Sequence, residues 1–236
     1  MKVAIITPYY KESSEILARC HKSILDQTHS DTSHIFVADG FPNDIVDSFN
    51  VVHLKLPNHN DYGDTPRALG GFSAVSLGYD AICFLDADNW LEPDHVATMV
   101  KKYYDTGSQV ITATRNLYRI DGSKMGVCNE SDGVNFNDTN CYFLSKPAFG
   151  AIAAWVLKDK KDGIIGDRIF WNTVQRMNLT RSHCMMPTVN YTTTLAFHYE
   201  VFGETPPSDS KVIARLEGED SSRMFSYEDF CKLRRN

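Results

Sequence analysis

The chain has 236 residues, with 30 acidic side chains against 24 Lys and Arg, a net charge of −6, and 42% hydrophobic and 23% charged residues. That length bounds one globular domain with a sizeable core, or at most two small ones, and the composition excludes wholesale disorder or a fibrous repeat. An acidic balance gives no electrostatic reason to expect nucleic acid as a partner, but an anion can still be held locally by a metal or a helix N-terminus.

Six cysteines, at positions 20, 83, 128, 141, 184 and 231, form no Cys-x-x-Cys pair, so neither a zinc knuckle nor a redox motif is expected. The chain opens Met1-Lys2-Val3-Ala4-Ile5-Ile6 directly into a strand pattern. It shows no basic-plus-apolar leader and no run of about 18 apolar residues, so no transmembrane segment and a cytoplasmic location are expected.

Lys2–Thr7 is a short apolar strand stopped by Pro8. Ser13 or Ser14 caps a helix with Ile16, Leu17, Cys20 and Ile24 on one face. His34–Gly40 and Val51–Leu56 are the next strands. Asp64-Thr65-Pro66 starts a second helix, with Leu69, Phe72, Val75 and Tyr79 as its expected apolar face. Ala81-Ile82-Cys83-Phe84-Leu85 is a nearly continuous apolar run that ends in Asp86-Ala87-Asp88. Beyond it, the pattern predicts a helix near 93–105, a strand near 109–118 and a polar loop over 122–140 that is too long to be a simple connection. Helices near 146–158 and 166–177 and a strand over Val189–His198 follow. This order predicts an α/β domain with a mostly parallel central sheet flanked by helices. In such sheets ligands bind beyond the carboxyl ends of the strands, which is where Pro8-Tyr9, Asp39 and Asp86/Asp88 fall.

In an extended backbone Asp86 and Asp88 face the same side. Two close carboxylates destabilise each other unless a cation or a shared proton intervenes, and hard oxygen ligands suit Mg²⁺ or Mn²⁺, ions that also hold phosphates. A metal–diphosphate site is one reading of the pair; an Asp-rich turn after a strand is the other.

Ile6-Thr7-Pro8-Tyr9-Tyr10-Lys11-Glu12, Ser23-Ile24-Leu25-Asp26-Gln27-Thr28, Val37-Ala38-Asp39-Gly40, Gly63-Asp64-Thr65-Pro66-Arg67-Ala68-Leu69-Gly70 and Phe84-Leu85-Asp86-Ala87-Asp88 together carry a resemblance to a GT-A fold glycosyltransferase of the family-2 type. It departs from the family pattern at Ala38, Pro66 and the residue after Arg67, and it is concentrated in residues 3–100. The resemblance implies a nucleotide-diphospho-sugar transferase fold and a single catalytic domain over 1–201. Within it, 1–100 would be the nucleotide-binding half and 101–201 the acceptor half, followed by a flexible loop and a tail helix over 202–236.

The implied activity is metal-dependent, inverting transfer of a sugar from a nucleotide diphosphate sugar, a UDP-sugar by expectation, to the hydroxyl of a saccharide or lipid-linked acceptor. Thr7, Pro8 and Tyr9 would shape the nucleoside pocket, Glu12 would reach ribose or base, and Asp39 would accept a base N–H. Arg67 and the Asp86-Ala87-Asp88 segment would hold the diphosphate. Arg67 also reads as a helix-surface arginine, and Asp39 as a turn or cap carboxylate.

Inversion needs a base on the acceptor hydroxyl. Gly163-Ile164-Ile165-Gly166-Asp167-Arg168 matches the family's Glu-Asp pair, with Asp167 as the base and Gly166 where Glu is common; alternatively Asp167 only caps a helix, leaving Asp138 or Asp162. By analogy with GT-A enzymes, His198 would complete a metal shell with Asp88 and Asp86, with Mn²⁺ or Mg²⁺ as cofactor; a structural histidine is the other reading. Trp171 and Asp138 would border the acceptor pocket, unless Trp171 is core. Gly203–Pro207 reads as a lid or as a plain linker. Lys232-Leu233-Arg234-Arg235 reads as a peripheral membrane contact or as a solvated helix end. Rival functions are a non-catalytic nucleotide-sugar binder and a sugar-nucleotide pyrophosphorylase, the latter disfavoured because the first loop lacks a Gly-rich phosphate cradle.

Overall fold

A computed structural model describes residues 1–212. In its first half, strands β1 (Val3–Tyr9), β2 (Thr32–Asp39), β3 (Val52–Leu56) and β4 (Ala81–Phe84) lie side by side in the order β3-β2-β1-β4, all parallel. The crossovers carry helices α1 (Ser14–Leu25), the short α2 (Asp44–Asp47) and α3 (Asp64–Ser76). Because β1 lies between β2 and β4, strand order reverses there, and the carboxyl ends of β1, β2 and β4 open onto one crevice.

The second half adds β5 (Trp90–Leu91), α4 (His95–Thr106), β6 (Val110–Tyr118), β7 (Lys124–Val127), β8 (Tyr142–Ser145), α5 (Ala154–Leu157), α6 (Gly166–Arg176), β9 (Arg181–Thr192) and α7 (Ala196–Val201). Strand β8 is antiparallel to both β4 and β6, β9 runs parallel to β6, and β5 and β7 pair antiparallel to β9 and β6. The sheet is thus parallel in its first half and mixed in its second.

Period-two alternation divides the core into two layers. Ala4 and Ile6 of β1 pack with Ile82, Phe84, Trp155 and Phe170 under α3, α5 and α6, while Val3 and Ile5 pack with Cys20, Ile24, Val96 and Met99 under α1 and α4. Strands buried on both faces read as the continuous apolar runs seen here. Helix α1 begins as expected, with Ser13 Oγ accepting the Ile16 N–H at 3.4 Å.

Helix α3 corrects one expectation. Leu69, Phe72 and Val75 face outward, Phe72 being 42% exposed, and the buried face is Pro66, Ala68, Gly70, Gly71 and Ala74. Close approach to the sheet selects small residues there. A Cβ on Gly70 would lie 2.4 Å from Ile6 Cγ2 and 2.9 Å from Val37 Cγ2. Gly70→Ala is therefore expected to cost about 1–3 kcal/mol by overpacking, read by urea denaturation, whereas Leu69→Ala stays within about 0.5 kcal/mol.

Three further expectations change. The 146–158 helix is a 3₁₀ segment over Lys146–Ala153, with Pro147 in its first turn, followed by only one α-helical turn. Strand β8, for which no strand was expected, fills the sheet between β4 and β6. The last strand runs over Arg181–Thr192 rather than Val189–His198. Pro187 falls where the β6–β9 register shifts, a bulge that tolerates proline inside a strand. Thr193 Oγ1 then accepts the Leu195 N–H at 3.1 Å, a side-chain turn that ends the strand and hands Ala196–His198 to α7.

Gly203–Pro207 is coil, and Glu204 makes a two-toothed ion pair with Arg119. Lys211 bridges back to Leu195. The expected tail helix and the basic stretch at 232–235 lie outside the described residues. No helix among the described residues is long and apolar enough to cross a membrane.

Candidate active site

An open cleft of about 130 Å³ at the crevice is lined by Tyr62, Asp64 and Arg67 from the start of α3, Asp86 from the end of β4, and Asp138 and Thr139 from the long loop. Trp155 of α5, Gly163, Gly166 and Asp167 at the start of α6, and Tyr191 of β9 complete it. Residues more than a hundred positions apart are thus brought to one wall.

Arg67 is held on three sides. Its Nη2 donates to Asp86 Oδ1 at 2.5 Å, its Nη1 donates to the Tyr62 carbonyl at 2.8 Å, and its guanidinium lies 5.3 Å from the Trp155 ring centroid. The Tyr62 carbonyl reaches Arg67 because Tyr62 adopts φ +60°, next to Asn60 at φ +51°. Left-handed backbone at a bulky non-glycine residue is an outlier that marks constrained sites. Arg67 is thus no free surface arginine.

Asn140 ties the other side of Asp86. Its side-chain oxygen accepts the Asp86 N–H at 2.5 Å, and its amide donates to Asp86 Oδ2 at 3.2 Å and to Asp138 Oδ1 at 2.8 Å. Asp138 in turn pairs with Arg115 at 2.5 Å. Arg67, Asp86, Asn140, Asp138 and Arg115 form one connected polar network at the cleft floor.

Asp88 differs from Asp86. Its carboxylate takes no hydrogen bond from another described residue; its main-chain carbonyl instead accepts from Arg19 at 2.5 Å and Thr192 at 2.8 Å. Burial, then the Asp86 and Glu12 carboxylates, push its pKa up to about 7. A partnerless carboxylate among anions is a donor set that fits Mg²⁺ or Mn²⁺.

Asp167 lies in the first turn of α6, whose cap residue is Ile165, so it does not serve as the N-cap. Its Oδ1 accepts the Arg168 N–H at 2.7 Å. Burial, then Asp138, raise its pKa to about 6, partly offset by Arg168. Asp138 has both oxygens committed to Arg115 and Asn140, and Asp162 does not line the cleft. Gly166, where a glutamate was the comparison, is closely surrounded, so a side chain there would require its neighbours to shift. A Cβ there would meet Asp64 Oδ1 at 3.1 Å, Lys158 Cε at 3.3 Å and Trp155 Cζ3 at 3.4 Å, space filled by the buried Lys158–Asp64 ion pair.

Along β1 and β2 some expected nucleoside contacts point elsewhere. The Thr7 hydroxyl faces inward and bonds His34 Nε2 at 2.8 Å. The Tyr9 ring packs edge-on against Phe36, and its hydroxyl bonds His53 at 2.7 Å and accepts the Asn43 N–H at 2.9 Å. Strand alternation sends both away from the crevice. Pro8 is buried and Ala87 is core, so these two can offer only close backbone approach. Glu12 Oε2 accepts the Tyr10 N–H at 2.6 Å. Asp39 Oδ1 accepts from the His59 N–H at 2.8 Å and its Nδ1 at 3.1 Å, and Oδ2 takes no hydrogen bond from a described residue.

Trp171 is 2% exposed, in the core beside Tyr142, with Nε1 donating to the Val134 carbonyl at 3.3 Å. It lines no part of the cleft: on α6 it shares a face with Asp167 but stands one turn further along, packed against Tyr142. His198 is not gathered with Asp86 and Asp88. It stands on α7 behind Tyr191, bonded to Thr193 at 2.6 Å and 3.4 Å from Arg115. The helix that replaced the expected strand end turned it there. Tyr62, Asp64, Trp155 and Tyr191 were missed as cleft residues; the Asp64-Thr65-Pro66 helix start was the one signal near them.

The parallel β3-β2-β1-β4 half, the mixed second half and the crevice where they meet make up a GT-A fold. The family model for glycosyl transferase family 2 matches residues 4–160, and the chain belongs to that family. A curated relative, the glycosyltransferase GlyA of Streptococcus pneumoniae serotype 4, is 26% identical over 138 residues, which is 56% of this chain and 18% of GlyA. The crystal structure of S. aureus TarS 1-349 in complex with UDP aligns with a TM-score of 0.63 at 15% identity, covering 85% of this chain and 63% of that one. The complex with UDP-GlcNAc aligns at 0.61 and 17% identity, covering 100% and 65%. The chain thus spans about a fifth of the curated relative and under two thirds of the TarS structures.

Proposed function

We propose that the chain is a metal-dependent, inverting glycosyltransferase that moves a sugar from a UDP-sugar to an acceptor hydroxyl. The observation that carries this reading is the meeting of Arg67, Asp86 and Asp167 on one cleft wall, an anion-binding group and a carboxylate able to take a proton at one site. Family membership and the UDP and UDP-GlcNAc complexes of TarS support the choice of donor.

In this reading Asp167 takes the proton of the acceptor hydroxyl as its oxygen bonds to the anomeric carbon and the bond to UDP breaks. Arg67 offers charge-assisted hydrogen bonds to the departing diphosphate, while Asn140 and Arg67 keep Asp86 fixed. Asp88 would hold Mn²⁺ or Mg²⁺, with Asp86 beside it, and the ion would supply charge stabilisation of the leaving group. Asp39 Oδ2 is the free acceptor for a base N–H. The cleft is smaller than the roughly 300–1,000 Å³ of small-ligand pockets, so a nucleotide sugar would extend beyond it along the strand ends. The acceptor hydroxyl would belong to a saccharide or a lipid-linked acceptor.

The test is UDP release from a panel of UDP-sugars with Mn²⁺, with and without chelator. Release that the chelator abolishes is expected; UDP binding with no release under any condition would identify a non-catalytic binder.

Asp88 carries a separate pH expectation. Its folded pKa, about 7, lies above its ordinary value of 3.8. The folded state therefore keeps a proton that the unfolded chain has lost, and this contribution to stability is present below about pH 4 and given up as pH rises through about 7. Without divalent cation, Asp88→Asn should gain stability relative to wild type between pH 5 and 8 in paired thermal melts. Mn²⁺ should stabilise wild type at pH 8 and leave the variant nearly unmoved. Equal stabilisation of both would remove Asp88 from the cation site.

A further inference from the structure

We propose that Cys128, Glu130 and His198 form a second cation site, separate from the Asp86/Asp88 pair and suited to Zn²⁺ or a similar borderline transition-metal ion. One ligand atom from each lies within 4.8 Å of the other two, the only such group of three among the described residues. The Glu130 Oε2 to His198 Nε2 separation is 3.7 Å. Tetrahedral bonds of ordinary Zn–N, Zn–O and Zn–S length place neighbouring ligand atoms about 3.3–3.6 Å apart, so Glu130 and His198 already stand near that spacing and side-chain movement of at most about 1 Å brings in Cys128.

His198 Nε2 faces Glu130 Oε2 at 3.7 Å and Arg115 Nη2 at 3.4 Å. Its Nδ1 meets Thr193 Oγ1 at 2.6 Å, so when a cation takes Nε2 the ring proton sits on Nδ1 and is donated to that hydroxyl. That is the outer hydrogen bond by which metal-binding imidazoles are oriented.

Exposure fits a site with an entry path. His198 and Cys128 are buried, while the Glu130 side chain is 43% exposed at the rim. Charge fits as well. Arg115 is paired with Asp138, and no Lys or Arg ion pair to Glu130 occurs among the described residues; a dication with Glu130 and a Cys128 thiolate makes the ligand set neutral. Arg115 keeps Asp138 at 2.5 Å and the Tyr191 ring at 4.3 Å when a cation replaces its longer contact to His198. A thiolate and an imidazole select Zn²⁺ over Mg²⁺, unlike the all-oxygen aspartate pair. Two ligands follow β7 and the third is on α7, so the ion would fasten the segment leading to Asp138 onto the last described helix. This proposal does not depend on the sugar-transfer reading.

The experiment is titration of the chelator-treated full chain with Co²⁺ as a spectroscopic probe, followed by Zn²⁺ competition and thermal melts. One equivalent of tetrahedral Co²⁺ with a near-ultraviolet thiolate band is expected, displaced by Zn²⁺ and accompanied by a rise in Tm. Cys128→Ser should abolish the band, Asp88→Asn should leave it intact, and Thr193→Val should weaken affinity by about 10–100-fold. Absence of a thiolate band in the wild-type chain overturns the proposal without recourse to any variant, as does a band that survives Cys128→Ser.

Discussion

Asp167→Asn is expected to lower sugar transfer by about 10²–10⁴-fold, the range a positioned general base contributes, while leaving UDP affinity in the presence of Mn²⁺ nearly unchanged. The asparagine keeps the shape and the hydrogen bond to the Arg168 N–H but cannot take a proton. Asp138, another carboxylate lining the cleft, is not free to substitute, because both its oxygens are engaged. The pH profile gives an independent check. The base works deprotonated and its pKa stands at about 6, so kcat/KM should fall about tenfold per pH unit below that point and level off above it. A variant that loses UDP binding along with turnover would make Asp167 structural.

Arg115→Met is expected to destabilise the fold by about 3–5 kcal/mol, the cost of removing one partner of a buried ion pair. Arg115 is 3% exposed. Besides pairing with Asp138 it stacks on Tyr191, and it stands beside His198. The neighbouring Asp138 charge holds its pKa above the ordinary arginine value despite burial, which acts the other way. Without the guanidinium, Asp138 is an unmatched buried charge, and the Asn140 link from Asp138 to Asp86 loses its anchor. Replacing both ends, Arg115→Met with Asp138→Asn, should recover most of the loss, since an apolar substitute for a whole buried pair is often neutral. Urea denaturation of the two single variants and the double variant measures this; a double variant as unstable as the sum of the singles would show that the pair itself is not the source.

The parallel half of the sheet was legible because its strands are buried on both faces and punctuated by Pro8, Gly40 and Asp64-Thr65-Pro66. The same legibility misled at α3, where Leu69, Phe72 and Val75 have helical spacing but face solvent. Hydrophobic periodicity says which residues are apolar, not how near the sheet lies, and a helix packed this closely selects small residues such as Ala68, Gly70, Gly71 and Ala74. Strand β8 escaped because four residues after a polar loop carry too little pattern, and Pro187 hid the start of β9 because a bulge tolerates it.

Of the residues that motif resemblance and spacing singled out, the cleft gathers Arg67, Asp86, Asp138 and Asp167, whereas Asp39, at the end of β2, and Asp88, beyond the end of β4, are not part of its lining. Thr7 and Tyr9 belong to the same motif, yet strand alternation turns their side chains inward, to His34 and to Asn43 and His53. Trp171 stands one turn beyond Asp167 on the same face of α6, too far along to reach the cleft, and His198 falls on a helix, α7, where a strand end was expected.

The amino-acid sequence by itself determined the α/β class, the crevice at the ends of β1, β2 and β4, and the family, since short-range patterns and motif order are enough for these. Only the tertiary structure decided that Arg67 is clamped between Asp86, Tyr62 and Trp155, that Asn140 joins two carboxylates fifty residues apart, and that His198 meets Cys128 and Glu130 rather than Asp88. These depend on the register of β8 and β9 and on the turn at Thr193, long-range pairings that no local pattern encodes.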